Sequence, residues 1–104
     1  MTQFLFVYHG GNTPDQTPEE NAAEMTKWQA WMEAESEALT NAGAPVGLSK
    51  TVSANGTVDN GGSNPASGYS IVQASDYDAA CKVAQACPIH ESGGTVEVAE
   101  IIEM

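Results

Sequence analysis

Residues 68–100 read GYSIVQASDYDAACKVAQACPIHESGGTVEVAE, and their punctuation decides the fold. GYSIVQA (68–74) is a short run rich in β-branched and aromatic residues, which predicts a strand. SDYD (75–78) carries helix-start chemistry, with Ser75 as the expected cap and Asp78 three residues on. Tyr77, Ala80, Cys81 and Ala84 then fall on one helical face, and Pro88 stops the helix. TVEVAEIIEM (95–104) ends the chain as a further strand with alternating apolar positions. This is one strand–helix–strand unit.

Working back towards Met1, the same grammar recurs. QFLFVY (3–8) predicts the first strand, and GGNTPDQ (10–16) breaks it. In TPEE (17–20), Thr17 suits the N-cap, Pro18 the first helical position and Glu20 the third, a capping box. The helix is expected to run to about Asn41, with Gly43 as its stop. Met25, Trp28, Met32 and Leu39 form its apolar stripe, flanked by Trp31. A second strand is expected at about 47–53, a tight turn at Asn55-Gly56, and a polar loop over VDNGGSNPAS (58–67). The order strand–helix–strand–strand–helix–strand predicts an α+β, ferredoxin-like βαββαβ fold with a four-stranded antiparallel sheet. The chain, residues 1–104, is read as a single domain.

Composition narrows the function. Fourteen Asp and Glu stand against three Lys and no Arg, a formal net charge of −11. Such a surface repels phosphate backbones, which excludes nucleic acid as the expected partner. The first residues lack a basic segment and a long enough apolar run for a signal sequence or a membrane span, so a cytoplasmic protein without membrane contact is expected. Leu, Ile, Val and Phe total seventeen residues, a thin supply for one core, and a partner chain would add buried surface. Homodimerisation is expected on that ground alone. Cys81 and Cys87 lie six apart across a helix end, about 9 Å if the helix continued, so free thiols are expected.

FLFVYHGG, the Trp28-x-x-Trp31 helix, AGAPVGLSKTVSANGTV, SGYSIVQA and CPIHESGGTVEVAEI together resemble the YCII-related (DGPF-type) domain family over nearly the whole chain. The resemblance implies a dimeric α+β barrel in which two four-stranded sheets face each other around an interior pocket. Some relatives are regarded as enzymes because a His on the first helix pairs with an Asp after it. This chain has no His on that helix and no Asp in AGAPVGLSK, so that pair is not carried over.

Several residues are candidates for a site. Cys87-x-x-His90 reads as a reactive pair, as half of a metal site, or as the turn feeding the last strand. A zinc site needs three or four ligands and one pair falls short, so no metal is expected. Cys87 reads best as a small buried hydrophobe. His90 is a candidate acid or base at a pocket mouth, against a plain reading as an exposed or backbone-capping residue. His9 ends the first strand and is a second candidate. Glu35 projects into the expected helix stripe, where a carboxylate needs a partner or a role, unless it reaches solvent at the stripe's edge. Glu97 alternates opposite Val96 and Val98 and would face the inter-sheet interior or the dimer seam; Lys50 would neutralise it or an anionic ligand, or is a plain surface residue. Trp28 and Trp31 serve as packing or as a ligand platform.

These readings lead to one expectation. The protein is a homodimer holding a small organic molecule in an inter-sheet pocket near His9, Trp28, Trp31, Lys50 and Glu97. Any chemistry is cofactor-free proton transfer of the lyase or isomerase type, with His90 and Glu35 as acid and base. No phosphate loop or dinucleotide fingerprint is present. The alternative is a non-catalytic dimeric scaffold or protein-interaction module.

Overall fold

Alternation along the first strand organises the molecule. In β1 (Thr2–His9), Phe4, Phe6 and Tyr8 are buried, while Leu5 and Val7 on the opposite face are half-buried. A computed structural model of the chain describes residues 1–11, 16–62 and 64–103. Its four-stranded sheet has the order β2 (Leu39–Pro45), β5 (Ala66–Ala74), β1, β6 (Thr95–Glu100), with every neighbouring pair antiparallel. With α1 (Pro18–Ala34) after β1 and α2 (Tyr77–Gln85) after β5, the architecture is α+β and compatible with a ferredoxin-like fold.

Register assembles the core from these strands. Phe4 stands opposite Val72 and Glu100, Phe6 opposite Ser70 and Val98, and Tyr8 opposite Gly68 and Val96. Trp31 from α1, Ala80 and Ala84 from α2, and Cys87 and Ile89 from the turn after it close over this face. Fully burying one Phe side chain stabilises by about 1.5–3 kcal/mol, so Phe4 and Phe6 anchor the layer. The Trp31 indole Nε1 donates to the Val83 carbonyl at 3.1 Å, tying α1 to α2.

Helix starts follow their caps. Thr17 Oγ1 accepts from the Glu20 N–H at 3.1 Å, and the Thr17 N–H reaches Glu20 Oε1 at 3.4 Å, a complete capping box. In α2 the cap is Asp76 rather than Ser75, because the Asp76 carboxylate accepts from the Ala79 N–H at 2.8 Å. Cys81 is exposed, and α2 instead turns Ala79, Ala80, Val83 and Ala84 inward. The break at GGNTPDQ falls largely on residues 12–15, which lie outside the described residues.

The middle of the chain departs from expectation. The first helix ends at Ala34, not near Asn41, and Glu35 is its C-cap. Thr40, Asn41 and Gly43 are weak helix formers, and pairing with β5 gives their backbone groups other partners. Leu39 therefore reaches the core from β2 rather than from a helix stripe. The sheet strand is 39–45, not 47–53. Residues 51–58 fold on themselves as a separate hairpin, β3 (Thr51–Ser53) and β4 (Gly56–Val58), closed by Ala54-Asn55. The last strand ends at Glu100, one further bond running from the Ile101 N–H to the Gln3 carbonyl at 2.9 Å. Among the described residues, no helix is long and apolar enough to cross a membrane.

Candidate functional site

Helical spacing places Asn21, Glu24, Met25, Trp28 and Met32 along one side of α1. That side faces the ends of β1, β2 and β5 across an open cavity of about 650 Å³. Tyr8, Ala42, Gly43, Gly68 and Ser70 form the sheet wall. The rings meet at right angles: Trp28 lies 5.4 Å from Tyr8 and 5.8 Å from Trp31 between centroids, with interplanar angles of 88° and 86°. Edge-to-face contact of this kind adds specific attraction to apolar burial.

A short polar chain crosses the sheet wall. The Tyr8 hydroxyl lies 2.7 Å from Ser70 Oγ, and Ser70 Oγ donates to the Ala42 carbonyl at 2.7 Å. Burial pushes the Tyr8 phenol up to about 12, against the opposing pull of its Ser70 hydrogen bond. Glycines make room for this wall. A Cβ at Gly68 would stand 3.2 Å from Tyr8 Cδ2, and one at Gly43 would collide with the Tyr69 carbonyl oxygen. Gly43 also sits at φ +75°, a turn held by its N–H donating to Asn41 Oδ1 at 2.9 Å. On the helix side, Ser92 Oγ donates to Glu24 Oε1 at 2.6 Å and fixes that carboxylate.

The candidate residues divide among five places. Trp28 and Trp31 line the cavity. His9 and Glu97 are brought together elsewhere, with His9 Nε2 2.9 Å from Glu97 Oε1 and His9 Nδ1 3.3 Å from the Pro65 carbonyl. The Glu97 hydrogen bond raises the His9 pKa, and the opposing effect of burial is smaller. Regular pairing of β1 with β6 makes this geometry: His9 stands opposite Thr95 and Val7 opposite Glu97, so His9 and Glu97 are diagonal neighbours on one face. On the β5 side a bulge pairs Tyr8 with Gly68 but His9 with Ala66, next to the Pro65 carbonyl.

His90, Glu35 and Lys50 stand apart from the cavity and from one another. His90 is exposed, and its Nε2 donates to the Ala84 carbonyl at 2.9 Å, closing the last turn of α2. Glu35 is half-buried at the end of α1, where its N–H bonds Trp31, and the early helix stop removes it from the stripe. Lys50 pairs with Asp59 at 3.2 Å at the base of the hairpin rather than with Glu97. Cys87 is buried, and burial pushes its thiol up to about 11. The His90 ring is thus committed to the helix end and Cys87 to packing. Among the described residues no group of three or more His, Cys, Asp or Glu is gathered to hold a metal.

Tyr8, Ser70 and Glu24 are the site residues that sequence reasoning missed. A signal for the first two exists in strand parity: Tyr8 is in phase with Phe4 and Phe6, and Ser70 with Val72. Two hydroxyls on the core parity of paired strands mark a polar chain inside an apolar layer. In comparisons with protein-family models and with curated proteins, the chain matches none.

Proposed function

We propose that the protein is a YCII-related homodimer that binds a small organic molecule, and that the cavity beside α1 is built for binding rather than for bond-making. The observation that carries this reading is the wall itself: Trp28, Trp31 and Tyr8 border an open, mostly apolar space, and a hydrogen-bonded hydroxyl pair is set in that wall. Small-molecule sites combine mostly apolar linings with a few fixed polar groups in this way. The paired imidazole and carboxylate, His9 and Glu97, lie outside that wall.

Support for the dimer comes from the sheet's other face. Ile71, Leu5 and Ala99 form one cross-strand row, and Tyr69, Val7 and Glu97 the next. Leu5, Val7 and Ile71 are half-buried and do not belong to the core cluster. The protomer is only 18 Å thick in its thinnest direction, and a second sheet stacked about 10 Å away would cover this face.

A second reading places acid–base chemistry of the lyase or isomerase type at His9 and Glu97. It is favoured by the asymmetry of the pair: the His9 side chain is 10% exposed and the Glu97 side chain 65%. A facing sheet would enclose both. Fragment screening by ligand-detected NMR tests the leading reading. Aromatic fragments should bind, and Trp28→Ala should abolish their binding; no binding, or binding indifferent to that change, removes it. Light scattering should give about twice 10.9 kDa, and a folded monomer at micromolar concentration would remove the dimer.

A further inference from the structure

We infer that the cavity selects an organic ammonium ion, an apolar body carrying a positively charged nitrogen with at least one N–H. The inference rests on the reading of the cavity as a small-molecule site and adds the chemical class of its ligand.

The direction of the hydroxyl chain supplies the first argument. A backbone carbonyl only accepts, so Ser70 must spend its one proton on Ala42. The Tyr8 hydroxyl must then donate to Ser70 Oγ, which leaves the phenolic oxygen with acceptor capacity to spare on a residue that lines the cavity. A ligand that meets this oxygen brings a donor. Carbonyl, ether and carboxylate groups have none to bring. With its phenol pushed up to about 12, Tyr8 keeps its proton and its polarity through the neutral range.

Charge supplies the second argument. Among the described residues lining the cavity, Glu24 is the charged side chain, and no Lys, Arg or His accompanies it. The whole chain carries −11 and offers no guanidinium to an anion. A carboxylate or phosphate ligand would therefore enter against the field of the site.

The aromatic walls supply the third. Trp28 stands perpendicular to both Tyr8 and Trp31, so adjacent walls meet as corners. These contacts fix the orientation of Trp28, the half-buried indole of the wall, and an indole attracts a cation to its face more strongly than any other side-chain ring. The Tyr8 acceptor then distinguishes an N–H ammonium from a fully alkylated one, which has charge but no donor.

Calorimetry with compounds sharing a phenyl body tests the class: 2-phenylethylammonium, its N-trimethyl form, 2-phenylethanol and 3-phenylpropionate. The ammonium should bind about tenfold or more tighter than each of the others. Tyr8→Phe should remove its advantage over the trimethyl form. Glu24→Gln, at the cavity edge, should reduce its advantage over the alcohol and does not depend on the Tyr8 variant folding. Equal or tighter binding of the alcohol or the carboxylate, abolished by Trp28→Ala, would overturn the ammonium class while leaving the cavity a small-molecule site. Failure of every probe to bind would overturn both.

Discussion

His9 and Glu97 meet diagonally across β1 and β6, with Nε2 and Oε1 2.9 Å apart. The other ring nitrogen of His9 faces the Pro65 carbonyl at 3.3 Å. Both partners accept hydrogen bonds, so the arrangement is satisfied in full by the doubly protonated imidazolium. This is the physical origin of the raised His9 pKa.

Stability should therefore depend on pH through His9. A histidine in the unfolded chain titrates near ~6.5, and the fold holds the proton to a higher pH. The folded state binds more protons in that window, so the contribution is complete below ~6.5 and is lost as pH rises through the folded value. Urea melts from acid to mildly alkaline pH should show midpoints falling across this range. Glu97→Gln should flatten the fall; an unchanged profile would assign it to another group.

Thr17→Ala removes the acceptor for the Glu20 N–H and half of the capping box. It should destabilise the protein by about 0.5–2 kcal/mol in denaturant melts. Thr17→Ser should recover most of the loss, because the cap needs the oxygen and not the methyl group.

The two cysteines should separate by reactivity. Cys81 is exposed and Cys87 buried, with its thiol pushed up to about 11. Timed alkylation read by mass spectrometry should label Cys81 first and Cys87 only as the protein opens. Cys87→Ser should cost about 1–3 kcal/mol for a hydroxyl buried without a partner. His90→Ala should leave Cys87 labelling slow, since the ring serves the Ala84 carbonyl. Rapid labelling of Cys87 that slows in this variant would restore the reactive pair.

Gly43→Ala should be the most damaging small change in the sheet. Its Cβ would fall on the Tyr69 carbonyl, and its φ of +75° is strained for any other residue. A loss above about 2 kcal/mol is expected, read by thermal or urea denaturation.

What could be read from the sequence follows locality. The capping box at Thr17, the strand at 68–74 and the alternation of Val96 and Val98 are set by neighbours in the chain, and the structure contains all three. The end of α1 and the start of β2 were not legible, because Leu39 continues a helical spacing and only pairing with Val72 makes it a strand residue. The His9–Glu97 pair follows from strand parity once β1 and β6 are neighbours, and it is that pairing across 88 positions that no local pattern announces. Tyr8 and Ser70 were hidden for a related reason: each reads as an ordinary strand residue, and their bond spans 62 positions.

The β3–β4 hairpin has a bearing on how this chain tolerates change. Every residue from Thr51 to Val58 is exposed, and the base is held by the Lys50–Asp59 pair and by Thr51 Oγ1 donating to the Asn60 carbonyl. Segments spliced into its two-residue turn at Ala54-Asn55 would displace no core side chain. Each doubling of such a loop costs only about 0.6 kcal/mol in closure entropy. The hairpin is thus a graft point, where the outline of the protein is free to vary while its interior stays constant.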